Sequence, residues 1–451
     1  MLTLHRRSRF FASTLLVLIA LLKANALKAG NDYARGVAVD NPENIFVTGS
    51  SEGFGTALDY ATLKYDTSGA LRWKMRYNGP GFRNDDVHAI TTDNWGNVFV
   101  TGGSVGSGSG SDYATIKYNS DGATKWVARF NGSANSDDNA NSVAVDSWGN
   151  VCVTGGSRAA GGSLDIVTIK YSSSGSQQWA VRWAGPFGDD IGRVVQFDAW
   201  GNVYVTGSTT GAGSRLDYIT LKYNANGALL WSTQYNGPGN GEDIPTALAV
   251  DSSGNAFITG SSFGGGSGLD FATIKYNSSG AQQWVARFNG PANWNDKPSA
   301  VALDPAGNVF VTGSATAFGG AMDYTTLKYN GNGSLLWRAT YNGPANADDI
   351  ATALAVDNGG NAYITGRSLG WGSAQDYATI KYNNNGQQQW VTRYNGDANG
   401  DDTAVGIGVN NASGNVYVTG SSLGFGTVAD FATVKYNNNG QQQWVARFNG
   451  P

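Results

Sequence analysis

One cysteine, Cys152, and two histidines, His5 and His88, stand among 451 residues. A lone cysteine excludes an internal disulfide, so packing must hold the fold together. So few histidines exclude a multi-histidine metal site and leave His88 as the one base for a Ser-His-Asp arrangement once the N-terminus is removed. Glutamate is scarce as well. Of 34 acids only Glu43, Glu52 and Glu242 are Glu, and the predominance of Asp suits turns and strand ends better than helices. No basic excess offsets the acids, since the formal charge is −4. Nucleic acid is therefore a poor partner, because phosphate binding needs concentrated Lys and Arg. Neither a phosphate loop nor a dinucleotide fingerprint occurs.

The N-terminus has the pattern of an export signal. His5, Arg6, Arg7 and Arg9 precede a mainly apolar stretch from Phe10 to Leu22, and Ala24-Asn25-Ala26 offers a small-x-small cleavage site. The apolar stretch is short for a bilayer span, and no later one is longer, so the expectation is a signal peptide over 1–26 and a mature chain over 27–451 with no transmembrane segment. Secreted, periplasmic and outer-surface locations all fit. Loss of Arg6, Arg7, Arg9 and Lys23 takes the formal charge from −4 to −8.

What is abundant is repetition. Asp-Tyr-Ala-Thr-x-Lys-Tyr, with variation at its second and third places, begins at Asp59, Asp112, Asp165, Asp217, Asp270, Asp323, Asp376 and Asp430, in steps of 52 to 54 residues. A tryptophan keeps the same step at Trp73, Trp126, Trp179, Trp231, Trp284, Trp337, Trp390 and Trp444. Each unit offers four strands: a small-residue strand ending Ala-Val-Asp, a Val-Phe-Val-Thr-Gly strand, the Asp-Tyr-Ala-Thr strand and the Trp strand. Asp-x-x-Gly-Asn joins the first two, with Asp able to cap the turn and Gly able to take positive φ. Alternation puts large groups on both faces, as in a sheet covered on both sides by other sheets. The reading is all-β: a single eight-bladed β-propeller with four antiparallel strands per blade. Blades are placed at about 32–84, 85–137, 138–189, 190–242, 243–295, 296–348, 349–401 and 402–451. No strand is left over to complete a blade from the other terminus, so closure must rely on side-chain packing between units 1 and 8. Glu43 stands where unit 1 should have Gly, and unit 8 carries one extra turn residue after Asn410.

The pattern Asp-x-x-Gly-Asn-x-Tyr-Val-Thr-Gly followed by Asp-Tyr-Ala-Thr-x-Lys-Tyr resembles the bacterial β-propeller repeat family SBBP, and more distantly NHL-type propeller repeats. The resemblance spans roughly 32–451. It implies a propeller in an exported bacterial protein that binds, adheres or scaffolds, and it carries over no catalytic residue.

Charges repeat too. Lys64 and its seven counterparts occupy one place in every unit, and Arg76, Arg129, Arg182, Arg287, Arg393 and Arg447 occupy another, with Gln234 and Thr340 in units 4 and 6. Charges on such strands need partners, either the strand-edge Asp set or carbonyls between blades. A second acidic set, Asp32, Asp85, Asp138, Asp190, Asp243, Asp296, Asp349 and Asp402, stands where the first strand begins. Around a channel mouth it would form a carboxylate ring suited to a hard cation such as calcium; alternatively each Asp caps its own turn.

Function is sought where the repeat fails. Trp95, Trp148 and Trp200 precede the turn glycine in units 2, 3 and 4 only, as a patch suited to sugar rings or a protein. Trp294 and Trp371 fall on the opposite, loop-rich end. His88 falls in a first-strand segment and reads as a satisfied strand or channel residue. The expected function is binding or scaffolding toward a carbohydrate or protein at the cell surface. The alternatives are a carbohydrate-active enzyme using paired Asp residues and a purely structural surface component.

Overall fold

A computed structural model describes residues 30–450 apart from 41, 54–56 and 427. The proposed signal peptide lies outside the described residues. Eight separate sheets follow one another, each a meander of four consecutive strands. In blade 1 these are Asp32–Val39, Ile45–Glu52, Leu58–Tyr65 and Leu71–Tyr77, all paired antiparallel. First strands of neighbouring blades lie against one another all the way round, and that of blade 1, Asp32–Val39, meets that of blade 8, Asp402–Val409. The chain is therefore a closed eight-bladed β-propeller with first strands innermost. The fourth strands, such as Leu71–Tyr77, form the partly exposed outer rim.

The core is not one mass but eight layers, each between two blades. One layer joins Phe46 and Tyr60 of blade 1 to Val87, Val98 and Ile116 of blade 2. The layer that closes the ring joins Ile45, Val47 and Leu63 of blade 1 to Tyr417, Phe431 and Phe448 of blade 8. This is why the Val-Phe-Val-Thr-Gly strand is apolar on both faces: each side packs on a different neighbour. Its glycine is required by close approach. A Cβ on Gly102 would lie 2.1 Å from the Asp86 carbonyl and 2.9 Å from the Tyr60 hydroxyl of the preceding blade. Its threonine bonds within the blade, Thr101 to Thr115 at 2.9 Å. Cys152 fills an aromatic place in the layer between blades 3 and 4, where burial pushes its thiol far above the usual range, leaving a packing residue rather than a nucleophile.

The repeated charges are partnered in two ways. Each lysine crosses to the next blade and donates to a carbonyl of its third-to-fourth-strand turn, and the repeat tryptophan donates to the same oxygen. Lys64 Nζ and Trp73 Nε1 meet the Ser120 carbonyl at 2.9 and 3.0 Å. The same staple closes the ring, with Lys435 and Trp444 both 3.0 Å from the Thr67 carbonyl. Each repeat arginine instead pairs with the strand-edge Asp of its own blade, Arg129 lying 2.9 Å from Asp112. Several also reach back to a tyrosine of the preceding blade, as Arg129 does to the Tyr77 hydroxyl at 2.9 Å.

Closure has one device of its own. At an internal seam Tyr204 donates to the carbonyl of Gly254, the turn glycine of the next blade, at 2.8 Å. At the last seam Glu43 takes that glycine's place, with φ 67°. Its carboxylate accepts from Tyr417, Asn415 and Ser413 of blade 8, each at 2.7 Å. Burial pushes the Glu43 carboxyl up, but these three bonds and the Lys435 charge outweigh it and hold it below its ordinary value.

Candidate functional site

An antiparallel meander puts the first-to-second and third-to-fourth turns at one end of the ring and the longer connections at the other. At the tight-turn end Asp93, Asp146 and Asp198 fold the turns that carry the three tryptophans. Asp93 Oδ1 accepts from the Trp95 and Asn97 backbone N–H groups at 3.0 and 2.8 Å. Equivalent bonds hold Trp148 and Trp200. Each indole then leans over the turn glycine of the next blade. Cβ atoms on Gly149, Gly201 and Gly254 would lie 3.5, 3.4 and 3.2 Å from Cζ3 of Trp95, Trp148 and Trp200. The indoles still remain 61, 58 and 59% exposed. Trp95, Trp148 and Trp200 thus form an arc on three consecutive blades, packed at the base and open above. Fixed turns hold it, so little side-chain freedom is left to lose on binding a ring.

His88 lies on the innermost strand of blade 2. Its Nδ1 is 2.8 Å from the Ala140 carbonyl of blade 3, and its Nε2 is 3.6 Å from Asp86. Asp86 also accepts from Arg35 at 3.2 Å and from Ser50 at 2.5 Å. Burial pushes the Asp86 carboxyl up, yet the His88 and Ser50 hydrogen bonds and the Arg35 charge prevail and hold it at about 2. His88 therefore stitches innermost strands together and stands apart from the tryptophan arc.

Of the two readings of the second acidic set, a channel-mouth ring or a cap on each connection, the geometry fits the cap. Asp32, Asp85, Asp138, Asp190, Asp243, Asp296, Asp349 and Asp402 are all essentially fully buried. Each accepts from the backbone of a glycine in the connection that leads into it. Gly132 N–H reaches Asp138 at 2.5 Å, Gly237 reaches Asp243 at 2.7 Å, and Gly450 of the last unit reaches Asp32 at 2.5 Å. The carboxylates point into these connections rather than into the channel, because the connection's N–H groups need acceptors. Among the described residues no group of three or more His, Cys, Asp or Glu side chains could hold a metal ion.

On the loop-rich end Trp294 leans over blade 6, where a Cβ on Gly320 would lie 3.5 Å from its Cζ3. Trp371 is 82% exposed in the second-to-third-strand loop of blade 7. Phe318 and Phe425, 83 and 80% exposed, hold the equivalent place in that loop of blades 6 and 8. The sequence reading passed over these two, although all three stand five residues before the strand-edge Asp, and Phe54 holds the same register in unit 1.

The family model SBBP, a beta-propeller repeat, matches residues 230–266 and 283–318. No curated protein matches the sequence. Among solved structures, a dihydro-heme d1 dehydrogenase, NirN, is similar at TM-score 0.55 and 13% identity, over 90% of this chain and 73% of that one. A eukaryotic initiation factor gives TM-score 0.49 at 8% identity, over 92% and 88% of the two chains. A polysaccharide lyase of family PL25 gives 0.47 at 12%, over 79% and 93%. At such identities the likeness is one of fold, and propellers carry unrelated functions.

Proposed function

We propose that this propeller is an exported binding protein that holds a cell-surface glycan across the arc of Trp95, Trp148 and Trp200. The supporting observation is three indoles on consecutive blades, each more than half exposed yet fixed at its base by a capped turn. Indole faces stack on the C–H faces of sugar rings, and a row of them suits an extended chain better than a single small solute. Export rests on the basic and apolar pattern of the N-terminus.

The test is a glycan-array screen of the mature protein against a Trp95→Ala/Trp148→Ala/Trp200→Ala variant, with Trp371→Ala as control. The triple variant should lose tenfold or more in affinity, on the order of one stacked ring's worth of free energy per residue. Trp371→Ala should bind as wild type. Retention of the ligand by the triple variant discards the arc as the site.

A further inference from the structure

Six blades hold a guanidinium in the same slot at the loop-rich end. In blade 2, Arg129 donates to the Ser104 hydroxyl at 2.6 Å, the Ser104 carbonyl at 2.8 Å and Asp112 Oδ2 at 2.9 Å. Arg447 repeats these contacts in blade 8 at 2.6, 3.0 and 2.9 Å. The slot is thus a defined cation receptor: a carboxylate, a hydroxyl and a strand carbonyl spaced for a planar fork.

Blade 4 keeps the receptor and lacks the arginine. Thr209 stands in the serine's place and Asp217 in the aspartate's, both buried. Gln234, in the arginine's place, donates to Asp217 Oδ2 at 2.6 Å. It is too short to fill the slot. Thr209 Oγ1 accepts no hydrogen bond, where Ser104 of blade 2 accepts one from Arg129. Asp217 Oδ1 is unpartnered just as Asp112 Oδ1 is in that complete blade, and a cleft of about 360 Å³ opens beside Asp217. Thr210, Ser214, Asp217 and Gln234 line it, with Pro186 and Phe187 as its rim. Phe187 is half exposed and belongs to a connection one residue shorter than the others, so an aromatic face stands at the entrance. A planar cation stacks on such a face.

We propose that the blade 4 cleft binds a guanidinium group from outside the chain, seated as the six internal arginines are seated. Asp217 and the Thr209 hydroxyl and carbonyl take the fork, and Phe187 covers its plane. The source is either a free guanidinium metabolite or an arginine side chain presented by a protein partner. This site lies at the opposite end from the tryptophan arc and does not depend on it.

The test is calorimetric titration of the full mature chain with N-propylguanidinium, free arginine, N-acetyl-arginine amide and n-butylammonium. N-propylguanidinium should bind saturably, at least about tenfold tighter than n-butylammonium, which lacks the fork. Binding of N-acetyl-arginine amide but not free arginine assigns the site to a protein partner; the reverse assigns it to a small molecule. Gln234→Arg, which fills the slot from within, should abolish binding, and the exposed Phe187→Ala should weaken it severalfold even if Gln234→Arg does not fold. Absence of saturable N-propylguanidinium binding overturns the proposal. So does undiminished binding in a folded Gln234→Arg, or in Phe187→Ala and Asp217→Asn together.

Discussion

Blades 4 and 6 have lost the same arginine, and the losses differ in kind. In blade 4 the acceptors remain. Gln234 satisfies one carboxylate oxygen, and the space left by the guanidinium is open. In blade 6 the receptor has been dismantled. Thr340 stands for the arginine and Ala315 for the serine, so the hydroxyl acceptor went with the donor. Asp323 is what remains. With no guanidinium beside it, burial and the neighbouring Asp349 push its carboxyl up to about 6. The comparison separates what a repeat needs for folding from what it leaves free. A blade tolerates loss of the ion pair when its other groups are adjusted, and only where they are not does a vacant receptor persist.

The largest effect should come from making a complete blade resemble blade 6. Arg129→Ala strips donors from Asp112, Ser104 and the Tyr77 hydroxyl at once. It leaves a buried carboxylate without its partner, at a cost of about 3 kcal/mol. Thr340→Ala, at the same place in blade 6, removes nothing charged and should cost under about 0.5 kcal/mol. Urea unfolding of the two variants decides this. Equal destabilisation would mean that the arginine contributes packing rather than charge.

A third departure from the repeat has gained partners instead of losing them, and it sharpens the comparison at the ring's one closing seam. Glu43→Gly restores the residue that other units carry and relieves a positive φ of 67°, a gain of about 1 kcal/mol. It also deletes three hydrogen bonds to blade 8, whose loss outweighs the gain by about 1–2 kcal/mol. Thermal melting should therefore fall in Glu43→Gly, and proteolysis should begin at the seam between blades 8 and 1. A variant that melts at or above the wild-type temperature would assign closure to the apolar layer and the Lys435 staple alone.

How much of this was legible in the sequence depended on where each residue's partner sits. Blade number, strand order and turn caps could be read because they are local and repeated, so one Asp-x-x-Gly-Asn turn explains its counterparts. Carbonyls between blades were expected as one partner for the repeated charges, but neither the choice of lysine over arginine nor the particular oxygen could be read. The acceptors are backbone carbonyls of the next blade, in residues as different as Ser120, Ala225, Gly331 and Asn384. A carbonyl leaves no mark on residue type. The Asp32 set was left between a ring and a cap for the same reason, since glycine N–H groups decide where those carboxylates point. Glu43 stood out as an exception, but its partners lie some 370 residues away. Trp95, Trp148 and Trp200 were visible because one position differs against a constant background. Phe318 and Phe425 carried the same kind of signal beside Trp371, hidden by the variability of the loops that bear them.

The smallest effect is also the most specific to blade 6. A carboxyl near 3.9 in the unfolded chain and raised to about 6 in the folded one binds its proton more tightly when folded. Its contribution to stability is complete below about pH 4 and is lost as pH rises to about 6 and beyond. Asp296, raised to about 6 by burial against the pull of its Gly290 and Thr316 hydrogen bonds, adds the same slope. Asp323→Asn removes one of these two titrations and no ion pair. Stability should therefore be unchanged at pH 4 and raised at pH 7, by about 1 kcal/mol because solvent screens the partly exposed carboxyl. The equivalent Asp112→Asn in blade 2 should do the opposite at pH 7, since there the charge is what Arg129 binds. Urea midpoints for both variants at pH 4, 5, 6 and 7 test the pair together. If Asp323→Asn destabilises at pH 7 as Asp112→Asn does, blade 6 has found another cation for its aspartate, and the contrast with the complete blades disappears.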